Sequence, residues 1–394
     1  MTNPLHQKHI ILGVTGSIAA YKAVEIASRL TQLGALVDVI LTASAEKLIT
    51  PLTFQSVTGR RAFTDSDLWG REGHVTHIAL GHYADLVAIA PVTANTMAKL
   101  AHGLGDNLVA VAALAAHCPL LLAPAMDAGM FSHPATQANV KTLRERGAIF
   151  VGPESGHLAS GLEGLGRFSD SAKIIGYIRH TLSREGLLKG KRLVVTAGGT
   201  QEFIDPVRVI SNRSSGKQGF AVAQAALDAG ADVTLIAGSY NSTLTPPVGC
   251  NFIHTGSARE MLAATLEVCR TADVLIMSAA VADFRPAVSA TQKIKKEQGA
   301  PLIQLEANPD ILKEVAAQKQ ACGFPRRLIG FAAESENLIN NAAAKLKAKG
   351  ADLFVANDIS SNQSGFEVDL NQVSFLSADG QVQRLPVLSK VEVA

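Results

Sequence analysis

At 394 residues the chain is too long for one ordinary core, and domains of about 100–200 residues lead to an expectation of two or three units. Thirty-six basic against 34 acidic residues leave a net charge of +2, which removes the general electrostatic case for nucleic acid or an anionic membrane as partner. Apolar residues make up 47% and charged ones 18%, a globular composition with a large buried fraction.

From the N-terminus, polar MTNPLHQKH leads straight into a strand and does not read as a secretory signal. Short apolar runs then recur as HIILGV, VDVILT, DLVAIAP and PLLLAP, and later as RLVVTAGG, DVTLIAG, DVLIMSAA, LIGFAAE and DLFVAND. They lack polar alternation, as expected of strands buried on both faces. Helical spacing fills many of the intervals. In SIAAYKAVEIASRLTQLGA, Ala19, Ala23, Ala27 and Leu30 share a face and Gly34 supplies a stop. The alternation predicts parallel sheets covered by helices on both sides, an α/β fold with two doubly wound domains. The most apolar window, NLVAVAALAAHCPLLLAPAM, approaches membrane-spanning length, but His117, Pro119 and Pro124 divide it into a buried helix and a buried strand. The periodicity breaks in SREGLLKGKR, Ser183 to Arg192, giving domains 1–190 and 191–394. The cysteines, Cys118, Cys250, Cys269 and Cys322, have no C-x-x-C pair and suit reduced thiols in a cytoplasmic protein.

In the first half, GVTGSIAAYK sets Gly16 and Ser17 where the first strand enters the first helix. Backbone N–H groups and the Ser17 hydroxyl could hold a phosphate there, and a well-capped helix explains the same residues. The G-x-G-x-x-G fingerprint is absent, and the second strand ends in Thr42 and Ser44 rather than in an acid for a ribose. Hydroxyls suit a phosphate-terminated mononucleotide such as FMN. The segment APVTANTMAKLAHGLGDNL puts Thr93, Asn95 and Thr96 in a turn at the carboxyl end of the sheet, where ligands bind in such folds. His74 and His77 suggest a metal pair, but no Glu, Cys or third ligand accompanies them at metal-site spacing.

TGSIAAYK, PVTANTMAKLAHGLGDNL and PAMDAGMFSHPATQAN resemble the flavin-dependent cysteine decarboxylases, whose usual motifs read PATANT and PAMN-x-x-M. The resemblance implies a flavodoxin-like domain with Gly16, Ser17, Thr42, Thr93, Asn95, Thr96 and Met126 around FMN, and His77 as base. It implies oxidation of the substrate's C–S unit, loss of CO2 to a stabilised enethiolate, and return of the electrons. Two positions depart from the pattern. Asp127 replaces the usual Asn, and the flap, normally ACGD-x-G-x-GR, reads ASGLEGLGR with Ser160 where a proton-donating Cys stands. An ionised Asp127 would repel a substrate carboxylate unless it is protonated or paired with a cation. A serine hydroxyl is also a far weaker acid than a thiol. Because His77, Gly164, Gly166 and Arg167 are retained, a variant active site is favoured over a dead one.

In the second half, VISNRSSGKQG invites a phosphate-loop reading, but Ser211 and Gln218 occupy positions where the nucleoside-triphosphatase pattern needs Gly and Ser or Thr. Gly198 and Gly199 end a strand, while Ser214, Ser215 and Gly216 precede a helix that begins near Lys217 and can cradle an anion. SAAVADFRP places Asp283 just beyond a strand end. In KIKK, Lys293 and Lys295 point the same way if extended, with Lys296 next to them, and Lys345 and Lys349 share a helix face. By themselves both sets are better read as solvated basic surface.

TAGGTQEFIDPVRVISNRSSGKQG, AAVADFRP, KIKK, NPDIL, FAAES and KGADLFVAND occur in one order and resemble phosphopantothenate-cysteine ligases. With the first half, essentially the whole chain resembles the bifunctional bacterial phosphopantothenoylcysteine decarboxylase and phosphopantothenate-cysteine ligase of coenzyme A synthesis. The resemblance implies a Rossmann-like ligase domain acting on CTP, 4'-phosphopantothenate and L-cysteine with Mg2+, through an acyl-cytidylate. Carried over by motif, Lys293, Lys345 and Lys349 contact the triphosphate or nearby nucleotide, and Asp283 serves metal and nucleotide. Met277, Ser278, Ala279, Pro309, Asp310, Ile311, Leu312 and Phe331 line the CTP pocket. Asn212, beside Arg208 and Arg213, holds the acyl-cytidylate, and Lys217 is the weakest candidate for a catalytic group. Trimeric flavin halves and dimeric ligase halves are implied too, a homo-oligomer compatible with a dodecamer. Two other readings stay open: a ligase with a structural or regulatory FMN domain, and a non-catalytic nucleotide-binding scaffold.

Overall fold

The computed structural model describes residues 3–68, 76–295, 301–334, 337–358 and 369–394. His74 and Lys296 lie outside the described residues. The chain divides into two compact units, one ending at Ser183 and the other beginning at Arg184.

The first unit is built on one parallel sheet. Its strands are β1 (His9–Val14), β2 (Leu36–Leu41), β3 (Ala62–Phe63), β4 (Leu86–Val92), β5 (Leu120–Pro124) and β6 (Ile149–Phe150), in the order 3-2-1-4-5-6. Without the two-residue β3, the remaining order is that of flavodoxin-like sheets. Every residue of β4 is buried, as a strand covered on both faces requires. The first helical stretch opens with a 3-10 turn, Ile18–Tyr21, and continues as the α-helix Lys22–Gln32. Ala23, Ala27 and Leu30 are fully buried, and Gly34 ends the stretch at φ +88°, a conformation that suits glycine. The most apolar window forms the helix Leu108–Ala115 followed by β5, and among the described residues no helix is long and apolar enough to cross a membrane. After β6, an antiparallel hairpin of β7 (Glu154–His157) and β8 (Glu163–Arg167) carries the flap.

The second unit contains β9 (Arg192–Ala197), β10 (Gln201–Phe203), β11 (Val209–Ser211), β12 (Asp232–Ala237), β13 (Asn251–His254), β14 (Val274–Met277), β15 (Phe284–Pro286), β16 (Leu305–Ala307), β17 (Arg327–Glu334), β18 (Leu353–Asp358), β19 (Leu370–Asn371), β20 (Val373–Ser377), β21 (Val382–Arg384) and β22 (Leu388–Ser389). Its main sheet runs 13-12-9-14-17-18-20-21, parallel as far as β18 and antiparallel beyond it. Strand order reverses between β9 and β14, as it does between β1 and β4 in the first unit, and these are the crevices where ligands enter open α/β sheets. Within Ser183–Arg192, Leu188 donates its N–H to Ala229 O at 2.7 Å and packs on the second core.

Candidate active sites

In the first unit the turns after β1, β4 and β5 are stitched together. The Thr15 hydroxyl donates to Pro91 O at 2.8 Å and accepts from Thr93 N at 3.0 Å, and Ala125 N donates to Val92 O at 3.2 Å. This brings Gly16, Ser17, Thr93 and Met126 to one end of the sheet. Thr42 follows β2 at the same end, and Asn95 and Thr96 open the helix Ala94–His102. The hydroxyls expected to meet a phosphate already have local work. Ser17 Oγ donates to Ala125 O at 3.2 Å and accepts from Ala19 N, while Thr42 and Thr93 cap the helices that follow them. A hydroxyl has one donor, so in this arrangement an anion near Ser17 meets backbone N–H groups instead. The fit is close: a Cβ on Gly16 would lie 2.4 Å from the Ser44 Cβ.

His77 stands in the first turn of the helix Thr76–Tyr83, which leads back into β4, so that turn lies toward the carboxyl end of the sheet. Its buried Nδ1 has no hydrogen-bond partner among the described residues. A polar atom left this way costs roughly 1–3 kcal/mol unless a ligand group meets it. Asp127 caps the helix Ala128–Ser132 by accepting from Gly129 N at 2.9 Å, and its other oxygen accepts from Ser160 Oγ at 2.8 Å. The flap is held beside it by Met126 N donating to Gly166 O at 3.1 Å.

The second unit contains a cavity of about 450 Å³ at its switch point. Met277, Ser278, Ala279, Asp283, Pro309, Asp310, Ile311, Leu312, Phe331, Lys345, Lys349 and Asn212 all line it. The floor is the turn Ala279–Asp283, fixed by Ala279 N on Thr196 Oγ1 and Ala282 N on Thr200 Oγ1. Asn212 Nδ2 donates to Val281 O at 2.9 Å and Asn308 Nδ2 to Ala282 O at 2.8 Å. Lys345 and Lys349 belong to the last turns of the helix Leu338–Lys349, and Lys349 Nζ lies 3.6 Å from Asp310 Oδ2. Two helix N-termini, at Gly216 and Asp310, open on the same space and favour anions.

Two expected residues are not among those lining the cavity. Arg208 Nη1 pairs with the fully buried Asp205 at 3.0 Å and donates to Ile294 O at 3.3 Å. Ile294 N donates to the same carboxylate at 3.2 Å, so Arg208 and Asp205 anchor the segment that carries exposed Lys293. In contrast, Asn308, Asn357, Asn371 and Lys390, which the sequence did not single out, do line the cavity, as does Lys217, the weakest of the catalytic candidates. Asn308 and Asn357 sit inside quoted motifs and were within reach of the reading. Asn371 and Lys390 carry no pattern, because only the pairing of β19 with β22 brings them there.

Two doubly wound units, each gathering polar groups at a strand switch point, define an α/β protein of the nucleotide- and flavin-binding class. Residues 1–183 match the family model described as Flavoprotein, and residues 188–394 match that of the DNA/pantothenate metabolism flavoprotein C-terminal domain. The chain is 40% identical over 393 residues to the Coenzyme A biosynthesis bifunctional protein CoaBC of Bacillus subtilis (strain 168), covering 99% of this chain and 95% of that protein. The protein of that name from Mycobacterium bovis (strain ATCC BAA-935 / AF2122/97) is 44% identical over 398 residues, covering 98% and 94%. A crystal structure of the C-terminal domain of a CoaBC protein is 40% identical, covering 52% of this chain and 91% of that one, with a TM-score of 0.44. The chain belongs to the family of bifunctional coenzyme A biosynthesis enzymes.

Proposed function

We propose that the second unit joins 4'-phosphopantothenate to L-cysteine at the expense of CTP, and that the first unit decarboxylates the product to 4'-phosphopantetheine with FMN. In this reading the boundary between the catalytic domains is near Gly190, in the segment that follows Ser183. The observation that carries the ligase reading is the convergence of distant motifs, Asn212, Met277–Asp283, Pro309–Leu312, Phe331 and Lys345 with Lys349, on one cavity.

A carboxylate does not condense with an amine in water, so it must be activated. An oxygen of the acid attacks the α-phosphorus of CTP, the bond to the β-phosphate breaks, and pyrophosphate leaves. The cysteine nitrogen then attacks the acyl carbon, CMP departs with the bonding electrons, and the amine gives its proton to solvent. Charge gathers on the α-phosphate and pyrophosphate, where Lys345, Lys349 and the N–H groups beyond Asp310 supply positive potential. Lys293, carried by the segment that Ile294 N ties to Asp205, would join them. Exposed Asp283 offers one carboxylate at the rim, enough for an Mg2+ ion that keeps its remaining ligands as phosphate and water. Asn212 orients the activated acyl group above the turn it braces.

In the first unit, the Gly16 backbone and Ser17, with Thr42, Thr93, Asn95, Thr96 and Met126, would hold FMN, the Ser17 N–H itself being given to Thr15 O. When bound, FMN supplies the two-electron oxidation and later reduction that give the substrate's carboxylate an electron sink. His77 Nδ1, without a hydrogen-bond partner among the described residues, would take the proton that oxidation releases. Asp127 and Ser160 sit together at the flap to manage the proton that the product needs.

The test is mass analysis of the products from CTP, cysteine and 4'-phosphopantothenate. 4'-Phosphopantetheine, CMP, pyrophosphate and CO2 are expected. An accumulating undecarboxylated amide would leave a ligase with a non-catalytic flavin domain, and absence of pyrophosphate would sink the ligase reading.

A further inference from the structure

Two helices of the first unit begin at the carboxyl end of its sheet, where their first N–H groups have no partner within the helix. The short helix Ala43–Glu46 follows β2, and the helix Leu108–Ala115 leads into β5, so both starts lie at that end. Their N-cap side chains are already used. Thr42 Oγ1 accepts from Ala45 N at 3.3 Å and Asn107 Oδ1 from Ala110 N at 2.9 Å, which leaves the first N–H of each helix to be met from elsewhere. Asp65, in the 3-10 turn Asp65–Asp67 after β3, meets both. Its Oδ2 accepts from Ala43 N at 3.3 Å and its Oδ1 from Leu108 N at 2.9 Å.

One carboxylate thereby joins three segments that the sequence keeps apart: the turn after β2, the turn after β3 and the loop 103–107. Each is braced on its other side. Thr42 N donates to Val14 O at 3.1 Å, and Ser44 packs so closely on the first turn that a Cβ on Gly16 would lie 2.4 Å from its own. Thr64 N donates to Asp67 Oδ2 at 2.8 Å, and Lys99 Nζ holds Asp106 at 2.7 Å. The arrangement selects an aspartate. A carboxylate offers acceptors on both sides, whereas the amide of an asparagine of the same shape would turn its NH2 towards one of the two N–H groups. Two helix starts also favour negative charge there. Both oxygens serve backbone amides, so Asp65 acts through its neighbours, and the neighbour assigned to FMN is Thr42.

We propose that Asp65 is a positioning residue for the flavin site: it holds the turn 42–44 against Gly16 and ties it to the loop 103–107, so that Thr42 meets FMN as part of a preformed wall. The assignment rests on the flavin reading of the first unit and deepens it. A preformed wall slows release of the cofactor and leaves the chemical step to His77 and the flap.

The test measures the Kd and release rate of FMN by flavin fluorescence for the full-length protein and its D65N, T42V, D65N/T42V and A43P variants. D65N is expected to raise the Kd about 10- to 100-fold, mainly through faster release. Its kcat for CO2 release at saturating FMN should fall by less than about threefold. In the T42V background the same substitution should add less than about threefold, because its effect passes through Thr42. A43P removes one of the two N–H groups at the first helical position, where proline is tolerated, behind a Thr42 that is already extended at φ −74° and ψ 156°. It should raise the Kd about three- to tenfold, and it decides the matter alone if D65N does not fold. A Kd within about twofold of wild type in D65N or A43P, full additivity of D65N with T42V, or a lower kcat at saturating FMN with an unchanged Kd would each overturn the assignment. A wild type that binds no FMN would remove the flavin reading and the role of Asp65 with it.

Discussion

Ser160 Oγ donates a 2.8 Å hydrogen bond to Asp127 Oδ2 across the flap, while Asp127 Oδ1 is occupied by the amide of Gly129. In this direction the serine proton points at the carboxylate and away from any substrate carbon. To deliver a proton, Asp127 must carry one itself, so that the bond reverses and Ser160 passes it on. D127N keeps the Gly129 bond through its amide oxygen, and its Nδ2 can only donate to Ser160 Oγ and carries no acidic proton. We expect it, and S160A, to release CO2 while the share of reduced thiol among the products falls at least about tenfold in favour of enethiol. Mass spectrometry of the trapped thiols measures that share. Unchanged thiol in both variants would assign the proton to another source.

The flap depends on close backbone approach. A Cβ on Gly166 would stand 2.2 Å from Met126 O, beside the bond in which Met126 N donates to Gly166 O. G166A must therefore push β8 away from the Met126–Ala128 segment and separate Ser160 from Asp127. Decarboxylation should fall by at least about tenfold, the scale on which a small misplacement of reacting groups acts. Pyrophosphate release, assigned to the other unit, should stay within about twofold. Parallel loss of both activities would mean general unfolding instead.

The parallel strands were legible because burial on both faces leaves uninterrupted apolar runs, as in β4, where no polar residue is needed. The antiparallel edge was not. β20 and β21 are short, β21 is exposed throughout, and neither produces such a run. The cavity followed the same division. Met277, Pro309 and Lys349 sit at ends of strands and helices whose order could be read, Phe331 lies within β17, and all of them line it. Asn371 and Lys390 reach it through a two-residue antiparallel ladder outside the main sheet, and no periodicity announces a contact of that kind. Ser17 shows the opposite limit. Its position was legible, but its hydroxyl is committed to Ala125 O, a partner 108 residues away that only folding supplies.

Lys349 and Lys293 should fail differently when neutralised. Lys349 lines the preformed cavity, so K349M should remove binding present from the first encounter and raise the KM for CTP about tenfold with little change in kcat. Lys293 is exposed and is not among the residues lining the cavity, so its proposed contact with the nucleotide is not part of the preformed site. K293M should therefore lower kcat by about 10- to 1,000-fold with a smaller effect on the KM for CTP, the pattern of a contact made mainly in the transition state. Steady-state pyrophosphate release separates the two cases. A pure KM effect for K293M would place it in the resting site.

The last relationship concerns stability of the second sheet. Asp352, just before β18, accepts from Lys319 Nζ at 2.6 Å, Leu328 N at 2.7 Å and Arg327 Nη1 at 3.1 Å. Burial by itself would raise its pKa, but the Lys319 ion pair, the Leu328 amide and Arg327 together draw it below the usual carboxylate value. A carboxylate whose pKa is lower folded than unfolded adds stability in full above the unfolded value, about 3.9, and loses it as pH falls through the folded value. D352N keeps an acceptor for Leu328 N but gives up the charge. Its urea midpoint, followed by circular dichroism, should lie below wild type at pH 7 and approach it as pH falls below 4. The wild-type midpoint should drop more steeply across that interval. A constant gap between the two proteins from pH 7 to pH 3 would show that Asp352 acts through packing and not through its charge.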